Sequence, residues 1–304
     1  MQDRGRYLDL GPEEIAARAA RGREMLRACR MCGRQCGVDR IAAVRPSVCQ
    51  TGDRAVIAAW GVRHAEQTGF LAFGRCNLRC VFCPTWMTSQ GRWGRELPAD
   101  EVAERMLAIQ ERGGRVLHLL RPTPVVHAVL EALALAVPRG FTLPLVYESS
   151  GYDSVEALRL LDGVVDVYVV DMKWGDSREG LWFSKVRNYA SVNRRAVLEM
   201  HRQVGDLEVN GAGMALRGLA VRHVVLPGSL ASTGRVVQFL AEEISPATWL
   251  ELDEAYTPAH LAARYAPLHR RPTDRETTEA RRLARRRGLR PRSDAAARPP
   301  GRCP

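Results

Sequence analysis

The chain has 304 residues, of which 46% are hydrophobic and 26% charged, and its formal net charge is +11. This length and composition predict one large globular domain of about 200 to 250 residues with appendages. No run of about 18 apolar residues occurs and the first residues lack the apolar centre of a signal peptide, so we expect a cytoplasmic protein that does not bind a membrane.

The positive charge is concentrated near the C-terminus. From Arg264 onward the chain has 13 arginines against four acidic residues, and the rest of the chain is close to neutral. This composition predicts a basic helix end followed by a disordered tail over residues 291–304. The alternative is an arm that contacts polyanions. Because the excess charge is confined to this end, it does not favour nucleic acid as a partner.

The first 64 residues are predicted to hold a helix, over residues 12–28, and a cysteine-rich segment that binds metal. Seven of the eight cysteines lie within 55 residues, and in a cytosolic chain such clustering favours metal over disulfides. The first group has the spacing C-x2-C-x3-C-x12-C and consists of Cys29, Cys32, Cys36 and Cys49. Four thiolates could bind a second iron-sulfur cluster or a structural zinc ion, and free thiols are the remaining alternative. Cys303 is expected to be an exposed thiol.

Strands and helices alternate over residues 65–256. The predicted strands span 69–76, 115–120, 142–151, 164–174, 219–228 and 248–256. The predicted helices span 98–112, 125–137, 154–163, 177–204 and 231–244, with a last helix at 273–287 in a C-terminal helical segment, residues 257–290. Six βα units in series predict an α/β fold with a parallel sheet and right-handed crossovers, curled into a full or partial (β/α)6 barrel.

The first of these strands runs directly into CNLRCVFC, which contains Cys76, Cys80 and Cys83. Loops at the C-terminal ends of barrel strands carry the chemistry, so these thiols would lie at the barrel mouth. Thiolates favour iron-sulfur clusters or zinc. Three of them can bind three irons of a [4Fe-4S] cluster and leave the fourth iron open. S-adenosylmethionine could chelate that iron, and an electron from the cluster would cleave it to methionine and a 5'-deoxyadenosyl radical.

The motif C-x3-C-x2-C with Phe82 before its last cysteine resembles the signature of the radical SAM superfamily. One branch is especially similar, the iron-sulfur homologues of pyruvate formate-lyase activating enzymes. The stretches that resemble it are CRMCGRQCGVDR, YESSGYDSVEALRLLDGVVDVYVVDMK, EMHRQVGDL and RGLAVRHVVLPG. The resemblance implies an enzyme that uses a [4Fe-4S] cluster and S-adenosylmethionine, takes electrons from a flavodoxin or ferredoxin, and abstracts hydrogen from a small-molecule or peptide substrate.

The same resemblance implies roles for further residues. In activating enzymes, a D-T-N-G-like turn after the third strand and a D-x-K motif after the fourth help to bind the carboxylate side of S-adenosylmethionine and a monovalent cation. The similar residues here are Glu148, Ser149 and Gly151, then Asp171 and Lys173. Phe82 is implied in cofactor binding, and Arg222 resembles a strand-five arginine that reaches the methionine portion.

The residue pattern gives independent reasons for part of this assignment. Asp171 and Lys173 lie two positions apart at a strand end, so both should point to one face, although a surface pair would look the same. Arg222 lies in an apolar strand and needs a buried anion. That anion could belong to a ligand or to a neighbouring strand. His223 should point to the opposite face, toward a helix.

The last predicted strand, TWLELDEA, alternates acids with leucines. If the leucines pack outward on helices, Glu251 and Asp253 face the lumen and could bind a cationic or amine-bearing substrate. An edge strand with one wet face is the alternative.

One segment departs from the family pattern. LLRPTP, residues 119–124, stands where the superfamily has a Gly-Gly-Glu-like stretch that receives the amino group of S-adenosylmethionine, and Thr123 and Pro124 occupy the place of an acid. This departure leaves two alternatives open. One is an iron-sulfur or zinc protein without radical turnover, such as an electron carrier or a binding module, and the other is atypical cleavage of S-adenosylmethionine.

Overall fold

A computed structural model describes residues 4–42, 47–211 and 213–291. Most of the predicted tail, with Cys303, lies outside the described residues. The strands are β1 (Ala55–Arg63), β2 (Thr68–Phe73), β3 (Arg95–Leu97), β4 (Val116–Leu120), β5 (Leu145–Ser149), β6 (Val167–Asp171), β7 (Glu208–Val209), β8 (Ala215–Val224) and β9 (Trp249–Asp253). The α-helices are α1 (Gly11–Glu24), α2 (Trp86–Ser89), α3 (Ala99–Glu111), α4 (Val126–Ala136), α5 (Val155–Arg159), α6 (Ser177–Ser184), α7 (Tyr189–Val204), α8 (Thr233–Phe239) and α9 (Asp274–Arg286).

The six predicted strands form one parallel sheet in the order β2-β4-β5-β6-β8-β9. Within the described residues β9 pairs only with β8, and β2 pairs on its other side with β1 rather than with β9. The sheet is therefore open between its first and last parallel strands. The predicted α/β fold is confirmed in its partial-barrel form.

Three strands were not predicted, and all of them pair antiparallel. β1 pairs with β2, β3 pairs with β1, and β7 pairs with β8. The segment AVIAAWGVR of β1 has neither clean alternation nor a turn signal that would indicate a hairpin. Antiparallel pairing at a sheet edge depends on the neighbouring strand, which a local pattern does not reveal.

Some helix boundaries also differ from the prediction. The helix predicted over 177–204 is two helices, because Lys185 takes a left-handed conformation (φ 59°) after α6. The helix predicted over 231–244 begins as α8 and ends in a π-helical turn, Leu240–Ile244. None of the described helices has the length and apolar character needed to cross a membrane.

Side chains alternate between the two faces of the sheet and so define an outer core and an inner face. In β6, Tyr168 and Val170 belong to the large core that the strands form with the helices, whereas Val167 and Val169 belong to a small separate cluster. Asp171 continues the second series and therefore points inward. The inner face of the sheet is apolar at the bottom and polar at the C-terminal strand ends.

Helix α4 lies between α1 and α3 and is buried along most of its length. Leu130 is completely buried, whereas Leu135 on the same helix is 46% exposed. We predict that Leu130→Ala lowers the free energy of unfolding by about 2 to 5 kcal/mol, because it leaves a cavity in the core. Leu135→Ala is the matched control and should change the free energy by less than about 0.5 kcal/mol. Urea denaturation followed by circular dichroism measures both, and equal effects would contradict the packing described.

Candidate active site

The three cysteines of CNLRCVFC lie where β2 ends, at the C-terminal edge of the parallel sheet. All three line one cavity of about 560 Å³, which is within the usual size range of small-molecule sites. Residues from the ends of five other strands complete its wall, among them Arg121, Thr123, Glu148, Ser149, Asp171, Lys173, Arg222 and Asp253. The cavity therefore lies where the barrel fold predicts chemistry.

The cysteine loop is held in place by hydrogen bonds that involve no thiol. The buried Asn77 side chain donates from Nδ2 to the carbonyl of Tyr152 (2.9 Å), and Gln90 Nε2 donates to the carbonyl of Cys80 (2.9 Å). Two backbone bonds attach the loop to the end of α6, from Arg79 N to Ser184 O (3.1 Å) and from Val81 N to Phe183 O (2.9 Å). No sequence pattern pointed to Asn77 or Ser184 as residues of the site.

Each of the three sulfurs has a polar neighbour. Cys76 Sγ accepts from Leu78 N (3.4 Å), Cys80 Sγ lies 3.0 Å from Ser184 Oγ, and Cys83 Sγ lies 3.2 Å from Ser89 Oγ. Burial raises the pKa of the Cys76 thiol, and it raises the pKa of Cys80 to about 12 although the Lys173 ammonium acts in the opposite direction. Buried thiols of this kind ionise readily only when a metal replaces the proton.

The donor set fits an iron-sulfur cluster. Thiolates are soft ligands of the kind that such clusters take, and each thiolate would bind a different iron. Three thiols with hydrogen-bond partners, opening on one cavity, match a [4Fe-4S] cluster with one open iron.

A chain of four charged side chains crosses the cavity wall. Arg222 Nη2 lies 2.9 Å from Glu148 Oε1 and 2.9 Å from Asp171 Oδ1, and Lys173 Nζ lies 2.5 Å from Asp171 Oδ2. The four residues come from β5, β8 and the end of β6, which are neighbours in the sheet. Arg222 thus pairs with carboxylates of neighbouring strands, as one interpretation of the sequence expects. It also lines the cavity, as the other interpretation, a ligand anion, requires.

Opposite charges control ionisation within this network. Burial raises the pKa of Asp171, but Arg222 and Lys173 outweigh that effect and lower it to about 2. Burial likewise opposes the charge on Arg222 and Lys173, yet the neighbouring carboxylates raise both of their pKa values. All three groups are consequently charged at neutral pH.

The turn after β5 needs glycine at position 151. Gly151 has a φ of 69°, and a Cβ atom there would lie 2.0 Å from Asn193 Nδ2 and 2.5 Å from the carbonyl oxygen of Asp171. Any other residue would push α7 and the end of β6 apart. Gly151 therefore shapes the cavity wall without lining it.

The segment LLRPTP meets an acid that the sequence did not reveal. Thr123 Oγ1 donates to Asp153 Oδ1 (2.7 Å), Tyr147 OH donates to the same oxygen (2.8 Å), and Ser149 Oγ donates to Asp153 Oδ2. Burial raises the pKa of Asp153 in spite of these hydrogen bonds. Asp153 comes from the turn after β5, so its link to LLRPTP is tertiary and has no local signature. Arg121, also missed, could have been noticed as a charge at a strand end.

Glu251 and Asp253 point to the inner face of the sheet. Leu250 and Leu252 belong to the outer core, while Trp249 packs with the inner apolar cluster. Asp253 lines the cavity, whereas Glu251 is only 8% exposed and pairs in register with Arg222. β9 is an edge strand among the described residues, and on its inner face Glu251 is buried whereas Trp249 and Asp253 are partly exposed.

His223 lies on the opposite face of β8 from Arg222. Its Nδ1 is 2.5 Å from the carbonyl oxygen of Met172 and its Nε2 is 2.9 Å from Thr233 Oγ1, at the start of α8. Neither of these two partners is among the residues that line the cavity.

The four N-terminal cysteines lie close enough for three of them to influence the ionisation of the fourth, and Arg34 of the same segment bonds to the cysteine loop. Burial raises the pKa of Cys32 to about 12, with smaller contributions from the three thiols Cys29, Cys36 and Cys49. The buried Arg40 donates from Nη1 to Cys29 Sγ (3.6 Å). Burial also raises the pKa of Cys49, but Arg40 and hydrogen bonds from nearby hydroxyls outweigh this and hold it below its ordinary value.

The charged network gives a prediction for stability. The pKa of Asp171 is about 2 in the folded chain and about 3.9 in an unfolded one, so ionisation favours the folded state. This contribution, about 2 to 3 kcal/mol, is complete above about pH 4 and is lost as the pH falls through about 2. We predict that Asp171→Asn lowers the free energy of unfolding of the metal-free chain at pH 7, and that its difference from wild type shrinks between pH 4 and pH 2.

The exposed carboxylate of Asp9 supplies the control. Asp9→Asn should change the free energy of unfolding by less than about 1 kcal/mol throughout. A difference between Asp171→Asn and wild type that stays constant from pH 7 to pH 2 would show that the ion pairs do not stabilise the fold.

The chain is similar to several known proteins. The chain is 30% identical over 226 residues to an uncharacterised protein of Methanocaldococcus jannaschii, and the match covers 71% of this chain and 62% of that protein. Its structure is similar to that of a radical SAM methyltransferase from Sphaerobacter thermophilus, with 17% identity, a TM-score of 0.49 and coverage of 75% and 66% of the two chains. The chain thus spans less than two thirds of the length of either relative.

A more distant structural similarity is to a domain of pyruvate-formate lyase-activating enzyme from Bacteroides vulgatus, with 14% identity, a TM-score of 0.36 and coverage of 53% of this chain and 86% of that domain. The family model of the radical SAM superfamily matches residues 71–239, more than half of the chain. As the three-cysteine motif predicts, the chain belongs to the radical SAM superfamily.

Proposed function

We propose that this chain is an enzyme that cleaves S-adenosylmethionine reductively and uses the product radical to abstract hydrogen from a small molecule or a peptide. One observation carries the proposal. The thiols Cys76, Cys80 and Cys83 open on the same cavity as the network of Glu148, Arg222, Asp171 and Lys173. A radical SAM enzyme requires a site for the cluster and a site for the charged methionine portion of S-adenosylmethionine. Thiols and charged groups on one cavity could supply both.

The three thiolates would bind three irons of the cluster. When bound, the [4Fe-4S] cluster supplies the electron that cleaves the sulfonium bond to give methionine and a 5'-deoxyadenosyl radical. Arg222 and Lys173 offer the positive charge that a carboxylate needs, and the planar fork of arginine suits it in particular. Glu148 and Asp171 offer oxygens for an ammonium group or a monovalent cation. Ser149 adds a hydroxyl, and Phe82 an apolar surface, on the same wall.

The substrate would enter beside β9. Asp253 lines the cavity there, and Glu251 lies buried next to Arg222 in the register of the sheet. This acidic side favours a substrate with an amine or another cation. A one-electron donor such as a flavodoxin or ferredoxin would reduce the cluster.

The reaction is tested most directly by removing one cluster ligand. We predict that Cys80→Ala reduces the release of 5'-deoxyadenosine to background, because two thiolates cannot replace three in holding a cluster with one open iron. The measurement is chromatography after anaerobic reconstitution with iron and sulfide, with dithionite as reductant. Circular dichroism should show that the fold persists.

Cys303→Ala is the matched control, since it removes a thiol far from the motif in sequence. It should cleave S-adenosylmethionine as wild type does. If Cys80→Ala retained cleavage, the cluster assignment would be wrong. A wild-type chain that binds the cluster yet releases no 5'-deoxyadenosine would favour an electron carrier, a binding module or atypical cleavage instead.

A second metal centre belongs to the same proposal. Cys29, Cys36 and Cys49 each contribute to the raised pKa of Cys32, and the buried Arg40 bonds to Cys29 and helps to lower the pKa of Cys49. We expect a second iron-sulfur cluster here rather than zinc, because the run C-x2-C-x3-C is closer to cluster motifs.

Metal content decides the nature of this centre. We predict that Cys32→Ala loses roughly four of about eight irons per chain, because removing one of four ligands opens the site. It should also lose stability, since a closed metal site contributes folding energy. Metal analysis by mass spectrometry, with Cys303→Ala as control, gives the answer. Loss of about one zinc would indicate a structural zinc site, and an unchanged content of both metals would show that the group binds none.

A further inference from the structure

Ser184 is the last residue of α6 and lies directly beside one of the proposed cluster ligands. Its Oγ is 3.0 Å from Cys80 Sγ and 2.8 Å from Trp174 Nε1. Ser184 and Trp174 are completely buried and Cys80 is 6% exposed. A hydroxyl in such a place exchanges hydrogen bonds with protein atoms only, so its partners determine its orientation.

The direction of both hydrogen bonds follows from the chemistry of the partners. The Trp174 Nε1–H group can only donate, so Ser184 Oγ accepts from it. Between Ser184 Oγ and a Cys80 thiol either atom could donate. A Cys80 thiolate that binds iron has no proton, so the serine hydroxyl donates to it. The hydrogen bond from Trp174 occupies one lone pair of the same oxygen and so limits the orientations of the hydroxyl.

Three further contacts fix the position of Ser184. The backbone bonds from Arg79 N to Ser184 O (3.1 Å) and from Val81 N to Phe183 O (2.9 Å) enclose Cys80 on both sides. The Trp174 ring packs edge-on against Phe82, with 5.6 Å between the ring centroids. The serine, the indole and the cysteine thus belong to one rigid unit made of the cysteine loop, the end of β6 and the end of α6.

The other two thiols have no equivalent arrangement. Cys83 Sγ lies near Ser89 Oγ (3.2 Å) and Thr85 Oγ1 (3.5 Å), and either atom of each pair could donate. Cys76 Sγ accepts a backbone N–H from Leu78 (3.4 Å). Among these contacts, the one at Cys80 is the shortest, and its serine oxygen also accepts from a donor-only partner.

We propose that Ser184, oriented by Trp174, is a positioning residue that donates a hydrogen bond to the Cys80 thiolate and thereby raises the reduction potential of the cluster. The inference rests on the proposed function, in which Cys80 is a cluster ligand. A hydrogen bond to a ligand sulfur withdraws negative charge from the cluster, and the reduced cluster, which carries one more electron, gains more from it than the oxidised one. Without this bond the cluster would be harder to reduce.

The test is a redox titration of the reconstituted cluster followed by electron paramagnetic resonance. Ser184→Ala should shift the midpoint potential to a more negative value at unchanged iron content. Ser184→Thr keeps the hydroxyl and should restore most of the wild-type potential. Trp174→Phe keeps an aromatic ring but frees the serine proton to rotate, so a smaller shift in the same direction is expected. Ser191→Ala, at an exposed serine of α7, is the control and should leave the potential unchanged.

The outcomes separate this inference from the proposed function. A wild-type potential in Ser184→Ala at equal iron content overturns the inference, as does an equal shift in Ser184→Ala and Ser184→Thr, which would indicate a structural effect alone. Should Ser184→Ala fail to retain its cluster, Trp174→Phe decides, and an unshifted potential in that variant overturns the inference. Absence of any cluster from the wild-type chain contradicts the proposed function instead.

Discussion

The ion pairs of Arg222 determine the character of the cavity. One guanidinium joins a carboxylate of β5 to a carboxylate of β6, and Lys173 extends the chain of charges by one residue. Isolated, each of these groups would be expensive to bury. Together they pair charges of both signs at the end of the sheet. In the proposed function this balance serves a ligand that carries both an ammonium and a carboxylate group.

The two cysteine groups are structurally coupled. The carbonyl oxygen of Tyr152 accepts from Asn77 Nδ2 of the cysteine loop and from the backbone N–H of Gly33 in the N-terminal segment. Arg34 donates from Nε to the carbonyl of Asn77 (2.6 Å), which joins the N-terminal segment to the cysteine loop a second time and directly. Arg40 connects the same segment to the cavity wall, since its Nη1 donates to the carbonyl of Pro124 (2.8 Å). A substitution that displaces the N-terminal cysteine segment would therefore also displace the cysteine loop.

Much of the parallel sheet could be predicted from the sequence, because its six strands are apolar runs separated by helical spacing. The inward direction of Asp171, Arg222 and Glu251 also follows from strand alternation alone. Contacts between distant parts of the chain could not be predicted in this way. Asp153 reaches Thr123 only because two strand ends meet, and Ser184 reaches Cys80 only because α6 ends where the cysteine loop turns. Neither pair leaves a repeat, a spacing or a motif in the sequence.

The antiparallel ribbon of β1 and β3 has a consequence for how molecules of this chain meet one another. An open barrel exposes the unpaired backbone groups of its first strand, which could template pairing with another chain. Here β1 covers that strand, and the ribbon ends in β3, which has only three residues, of which Arg95 and Glu96 are exposed. A short border with charged side chains is a poor template for strand addition. The ribbon thus protects this edge of the sheet from strand addition by another chain.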